Sequence, residues 1–227
     1  MAKFRLSPSK LNTFNDCPRC FYLSMIKKID RPRGIYPSLP SGMDLVIKDY
    51  YDGYRKQGKL PPQLEGKIDG VLVSDFALLH KWQNWRTTNL KYENDKAVLT
   101  GALDDCIITA DNLYAPLDNK TKGSAFKEDP EMYAKKYYQL QLDCYTLMLE
   151  ESGYKTNGKG YFVFYHPEVV MDGGVVTFGI DAFGIDTNKE NAVATVARAV
   201  EVLERKEIPE TSDNCEYCKL VKTLKEV

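Results

Sequence analysis

Residues 101–123 read GALDDCIITADNLYAPLDNKTKG, and the rest of the chain is organised around them. The stretch reads as two strands joined by a short turn. The first opens on Gly101-Ala102-Leu103-Asp104, and the second carries Pro116-Leu117-Asp118-Asn119-Lys120. Side chains two residues apart on a strand point to the same face, so Asp118 and Lys120 stand together. A carboxylate and an ammonium side by side on a buried strand need a use. Asp104, at the start of the neighbouring strand, is placed to converge on them. Two carboxylates can hold a hard cation such as Mg²⁺, and Lys120 can orient or stabilise a metal-bound hydroxide. An isolated Asp-x-Lys is more often part of a surface hairpin with solvated charges, so the surroundings decide.

The 227-residue chain is 43% hydrophobic and 28% charged, which fits a globular protein able to bury a core. Its length predicts one domain spanning 1–227. The formal net charge of −1 gives no global attraction to nucleic acid, so such a partner must meet a local basic groove. One is at hand: Thr121-Lys122-Gly123-Ser124 leaves the second strand as a basic turn, and Lys127, Lys135 and Lys136 follow. No apolar run is long enough to span a membrane, and MAKFRLSPSKLNTF has no signal-peptide core. The expectation is a cytoplasmic protein.

Periodicity sets out the other elements. Ser7 caps a helix with Pro8 in its first turn, kinked at Pro18. Residues 30–41, DRPRGIYPSLPS, read as an extended connector. A helix over 42–57 carries Met43, Val46, Ile47, Tyr50 and Tyr54 at helical spacing. On it, Asp44 and Lys48 make a surface pair worth about 0.3–0.5 kcal/mol, or Asp44 serves the site. A further helix from Ser74 turns Phe76, Leu79, Trp82 and Trp85 toward a core and carries His80. Strands over 89–92 and 97–110 follow. Asp129-Pro130 opens a long helix to Glu151, on which Gln141 and Tyr145 share a face. Gly160–Tyr165 is a buried strand ended by His166-Pro167, residues 175–183 form another strand or hairpin arm, and 188–205 an amphipathic helix.

Six cysteines in a reducing compartment indicate metal ligation or burial rather than a disulfide framework. Cys17-x-x-Cys20 and Cys215-x-x-Cys218 lie at opposite ends of the chain. Together they make four thiolates, the number that a zinc ion or an iron–sulfur cluster takes, in a clasp joining the N-terminal helix to the C-terminus. Cys106 and Cys144 read as small apolar core side chains.

Four elements in order resemble the PD-(D/E)XK nuclease superfamily: LSPSKLNTFNDCPRCFYL, Gly101-x-x-Asp104, Asp118-x-Lys120 and Gln141-x-x-x-Tyr145. The N-terminal string and Gln-x-x-x-Tyr resemble its RecB-like branch, and the terminal cysteines are similar to those of iron–sulfur CRISPR-associated exonucleases. The resemblance implies a restriction-endonuclease-like α/β core, a central mixed sheet flanked by helices. It implies a deoxyribonuclease acting on single strands or ends, with Mg²⁺ or Mn²⁺ on Asp104, Asp118 and the Asn119 carbonyl oxygen. Lys120 would position water, and Gln141, Tyr145 and Lys122 would hold the strand. A further metal ligand is expected from the helix around Asp44, with His80 as the substitute. The clasp would hold a 4Fe–4S cluster, or zinc, since the two-plus-two division of cysteines departs from the family's one-plus-three. Partners in DNA repair or CRISPR adaptation would follow. A nucleic-acid- or partner-binding module with a weakened site is the alternative.

Overall fold

The Asp-x-Lys strand, β6 (Tyr114–Thr121), is the middle strand of a five-stranded mixed sheet. The other strands are β2 (Val71–Leu72), β5 (Asp105–Ile108), β7 (Lys159–Val170) and β8 (Val176–Asp186), in the order β2-β5-β6-β7-β8. The β6/β7 pair is parallel and the other three pairs are antiparallel. A parallel neighbour requires a crossover, supplied by α5 (Pro130–Glu151), which Asp129 caps by accepting the Glu131 amide at 3.0 Å. The computed structural model describes residues 2–32, 34, 35 and 37–226.

Strand alternation sorts the sheet into two cores. On one face, Cys106, Phe162 and Phe164 join Leu142, Cys144 and Met148 of α5, with Leu11 and Phe14 of α1 (Pro8–Asp16), Phe21 of α2 (Pro18–Tyr22) and Ala192 and Val196 of α6 (Lys189–Leu203). On the other, Ile107, Ala115, Leu117, Tyr161, Val163 and Tyr165 meet Ile47 and Tyr51 of α3 (Ser38–Arg55). Helices thus cover both faces of the central hairpin, as its two-sided burial demands. Cys106 and Cys144 are fully buried in the first core.

The sequence reading of one strand over 97–110 needs correction. The chain breaks at Gly101–Asp104, and the two halves go to different sheets. β4 (Ala97–Thr100) joins a three-stranded sheet, β1-β4-β3, with β1 (Phe4–Leu6) and β3 (Lys91–Glu93). At the break a Cβ on Gly101 would lie 3.1 Å from Pro8 Cδ and 3.4 Å from Met148 Cε, so glycine lets the bend pass close between α1 and α5.

Other boundaries moved for local reasons. Residues 38–41 of the expected connector belong to α3, and Arg33 and Tyr36 of that connector lie outside the described residues. The helix expected from Ser74 starts two residues later as α4 (Phe76–Gln83), capped by Asp75, which accepts from the Leu78 amide at 2.9 Å. That helix stops before Trp85, which is exposed instead of facing a core. β7 runs on past His166-Pro167 with an irregularity between Pro167 and Val169, where proline cannot donate to the ladder. Residues 216–226 form α7, continuing from the cysteine pair.

Candidate active site and metal centre

Asp118 and Lys120 do stand on one face of β6, the face that α5 covers. Asp118 is 1% exposed. Gln141 Nε2 donates to its Oδ1 at 2.8 Å and to the Tyr145 hydroxyl at 2.9 Å, while Gln141 Oε1 accepts from Lys120 Nζ at 3.0 Å. One amide thus ties three polar side chains together. The Lys120 ammonium also touches Asp118 Oδ2 and lies 5.0 Å above the Tyr138 ring. That Oδ2 nevertheless makes no aligned hydrogen bond, which leaves a buried acceptor unsatisfied beside its counter-charge.

Asp104 precedes β5 at the break between sheets, and its Oδ2 accepts the Asn119 amide at 3.2 Å. The two acids therefore meet across adjacent chain segments. Burial pushes Asp118 up to about 7; Lys120 opposes the shift and Asp104 adds to it. Asp104 keeps 30% of its side chain exposed, yet its dense surroundings push its carboxyl above the usual range against the pull of Lys48 and Lys120. Two crowded carboxyls that resist ionising are the donor set that a divalent cation relieves.

On the opposite face, α3 presents Asp44, Lys48, Tyr51 and Arg55, spaced so that all four lie on one helical stripe. Lys48 Nζ sits 2.7 Å from Asp44 and 3.9 Å from Asp104 Oδ1, so the expected surface pair also reaches the site. Tyr51 donates to Asn119 Oδ1 at 3.3 Å. A cleft of about 180 Å³ is lined by Asp44, Ile47, Asn119 and Lys120. His80 is exposed on α4, edge-on to Phe76 with ring centroids 6.0 Å apart. Lys122 lies 5.0 Å over the Phe126 ring, and its ammonium donates to the Ser124 and Ala125 carbonyls.

Sequence reasoning missed the buried Arg55–Asp105 pair. Arg55 Nη2 donates to Asp105 Oδ2 and Nη1 to the Val73 carbonyl, both at 2.6 Å. The acid is adjacent in sequence to Asp104 but belongs to the other face, and the α3 stripe was the available signal.

At the far end of the first core, Cys17, Cys20, Cys215 and Cys218 come together, all four Sγ atoms lying within 4.8 Å of one another. Among the described residues, no other group of three or more His, Cys, Asp or Glu ligands is so clustered. Cys20 Sγ is 3.6 Å from both Cys215 Sγ and Cys218 Sγ, and Cys17 Sγ is 3.9 Å from Cys218 Sγ. Burial opposes ionisation of Cys17, but the backbone of Ser212 and Cys20 and the Thr211 hydroxyl hold its thiol down to about 6. Burial pushes Cys20 up to about 12. Arg31 braces the cluster: its Nη2 lies 2.5 Å from Asp16 and 3.6 Å from Cys215 Sγ, and its guanidinium covers the Tyr217 ring at 4.8 Å.

Residues 64–222 match the PD-(D/E)XK nuclease superfamily, and the chain belongs to it. Twelve chains among solved structures match the protein. One, the crystal structure of SSO0001, is 15% identical with a TM-score of 0.50, and the match covers 98% of this chain and 86% of that one. At that identity the likeness concerns the fold alone. No curated protein matches. Among the described residues, no helix is long and apolar enough to cross a membrane.

Proposed function

We propose that the chain is a metal-dependent deoxyribonuclease of the RecB-like branch, hydrolysing phosphodiester bonds in single strands or at DNA ends as an exonuclease. The observation that carries this reading is the buried Asp118 carboxylate beside Asp104, with an oxygen that finds no aligned donor. Asp104, Asp118 and the Asn119 carbonyl would hold Mg²⁺ or Mn²⁺, with Asp44 across the small cleft as the further ligand. A divalent ion there supplies Lewis-acid charge at the phosphate and lowers the pKa of bound water. Lys120 donates to the attacking water, and Gln141 fixes the direction of that ammonium. Tyr145 and Gln141 steady the strand, and Lys122 draws the phosphate backbone toward the cleft.

The test is cleavage of end-labelled single-stranded and duplex DNA with Mn²⁺ by wild type, Asp118→Ala and Lys120→Ala. Both variants should lose about 10²–10³-fold in rate, the scale of removing one electrostatic partner of a transition state. Equal cleavage by all three would reject the assignment. One observation favours the second reading, a binding module with a weakened site. Lys48 places an ammonium between Asp44 and Asp104, where another acid would strengthen the metal site. That reading predicts DNA binding without divalent-dependent cleavage.

At the clasp, one ion with Zn–S bonds of about 2.3 Å sets the edge of its sulfur tetrahedron at about 3.8 Å. Three of the Sγ separations, 3.6, 3.6 and 3.9 Å, lie near that edge, and all of them lie within 4.8 Å. A 4Fe–4S cluster carries its thiolates on separate irons and needs them farther apart. The spacing supports zinc over the iron–sulfur cluster of the CRISPR-associated exonucleases.

A further inference from the structure

Trp85 stands 68% exposed, an unusual position for the largest apolar side chain. It is held there firmly. The Asn84 side chain accepts the Arg86 amide at 3.0 Å, and the Asn84 carbonyl accepts those of Thr87 and Thr88 at 3.0 and 2.9 Å. The Arg86 guanidinium covers the indole at 4.8 Å. The end of α4 is fastened to the Asp104 segment, because Gln83 donates to the Asp104 carbonyl at 2.7 Å and Leu103 to the Trp82 carbonyl at 3.1 Å. The turn that displays Trp85 is thus anchored to the segment that carries the first acid.

Trp85 borders a cavity of about 410 Å³ whose lining includes Ser9, Asn12, Thr100, Gln141 and Tyr145. The volume lies within the usual range for a small-molecule pocket, about 300–1,000 Å³. Its lining carries hydroxyls, amides and aromatic surface, and no charged side chain. Lys120, bonded to Gln141, and Arg86, over one face of the indole, adjoin the cavity without lining it. A nucleobase suits the neutral lining: it offers a π-face for the indole and neutral donors and acceptors for the amides. Gln141 closes the inner end and is the residue bonded to Asp118 and Lys120.

We propose that this cavity receives one unstacked nucleobase of the substrate strand, seated against Trp85, and so selects single-stranded over paired DNA next to the cleaved bond. The inference rests on the nuclease reading and adds a base-binding subsite to it. A paired base, held in its stack, could not enter without being extruded.

The protein has two tryptophans, and Trp82 is fully buried, so emission from Trp85 reports on this pocket. Full-length protein with its clasp metal in place, and with Ca²⁺ replacing Mg²⁺ or Mn²⁺ to hold back cleavage, would be titrated with a fluorescein-labelled oligothymidine while anisotropy and tryptophan emission are followed. A second oligonucleotide would carry one abasic residue, stepped along the strand. Wild type should bind with quenching, and Trp85→Ala should bind about 5–100-fold more weakly, the range of one base–aromatic stack. Trp85→Phe should recover most of the loss, and the abasic penalty seen in wild type should vanish in Trp85→Ala. Binding without quenching, or the same abasic penalty in both proteins, overturns the subsite and leaves the nuclease reading standing. Failure of the wild-type protein to bind DNA at all overturns both.

Discussion

At Gln141, a single amide reaches an acid and a base at once: it donates to Asp118 and accepts from Lys120. Neither oxygen nor nitrogen of that amide can be removed without freeing one of them. Gln141→Leu keeps the volume and removes both bonds; single-turnover cleavage should slow about 10–100-fold as the ammonium loses its direction. Gln141→Glu should slow it further, because it sets a carboxylate against the buried Asp118. Unchanged single-turnover rates in both variants would remove the orienting role. Much of this site could be read from local spacing: two apart on a strand for Asp118 and Lys120, four apart on a helix for Gln141 and Tyr145. Lys48 beside Asp104 and Trp85 at the cavity were not legible. Each depends on where α3 or the end of α4 docks, a long-range outcome that no spacing rule encodes.

At the scale of elements, α3 is held to the sheet by Arg55, whose side chain is fully buried against Asp105, Asp52 and the Val73 carbonyl. This bond sets the helix's register, and with it the position of Asp44 and Lys48 over the site. Arg55→Met should destabilise the protein by about 3–5 kcal/mol, since Asp105 is left buried without its partner. Arg55→Met with Asp105→Leu should recover a large part of that, because a matched apolar pair carries no stranded charge. Urea unfolding of the two variants measures the difference; equal losses would show that packing volume, not the charge, sets the cost. The long α5 was legible because its cap, its proline and its apolar run agree. The break at Gly101 was not, because residues 97–110 are apolar and β-branched enough to pass for one strand. The crowding of Gly101 by Pro8 and Met148 is a long-range contact that the local pattern does not encode.

At the scale of the whole molecule, the clasp joins residues 17–20 to residues 215–218 and so closes nearly the full length of the chain. Closing so long a loop restricts the unfolded state, and a metal that binds only the assembled thiolates adds its binding energy to folding. α7 (Glu216–Glu226) depends on this more than any other helix. None of its residues is fully buried, and Tyr217, Leu220, Val221 and Leu224 are all exposed. Its ties to the body include Cys218, the preceding Cys215 and the cover of Arg31 on Tyr217, and Val221 borders a cavity shared with Leu23 and Ile29. Metal content comes first: a colourless protein should release about one zinc per chain on thiol modification, whereas a brown protein with iron and sulfide would restore the 4Fe–4S assignment. Removing the metal with a strong chelator should then expose 215–226 to hydrogen exchange and proteolysis before the sheet loosens, and lower the unfolding midpoint. Cys218→Ser should reproduce the release of α7 and leave protection in β6 and β7 unchanged at moderate temperature. If α7 stays protected after complete metal removal, its anchorage lies in Arg31 and the surrounding packing, and the cysteines do not act as a metal clasp.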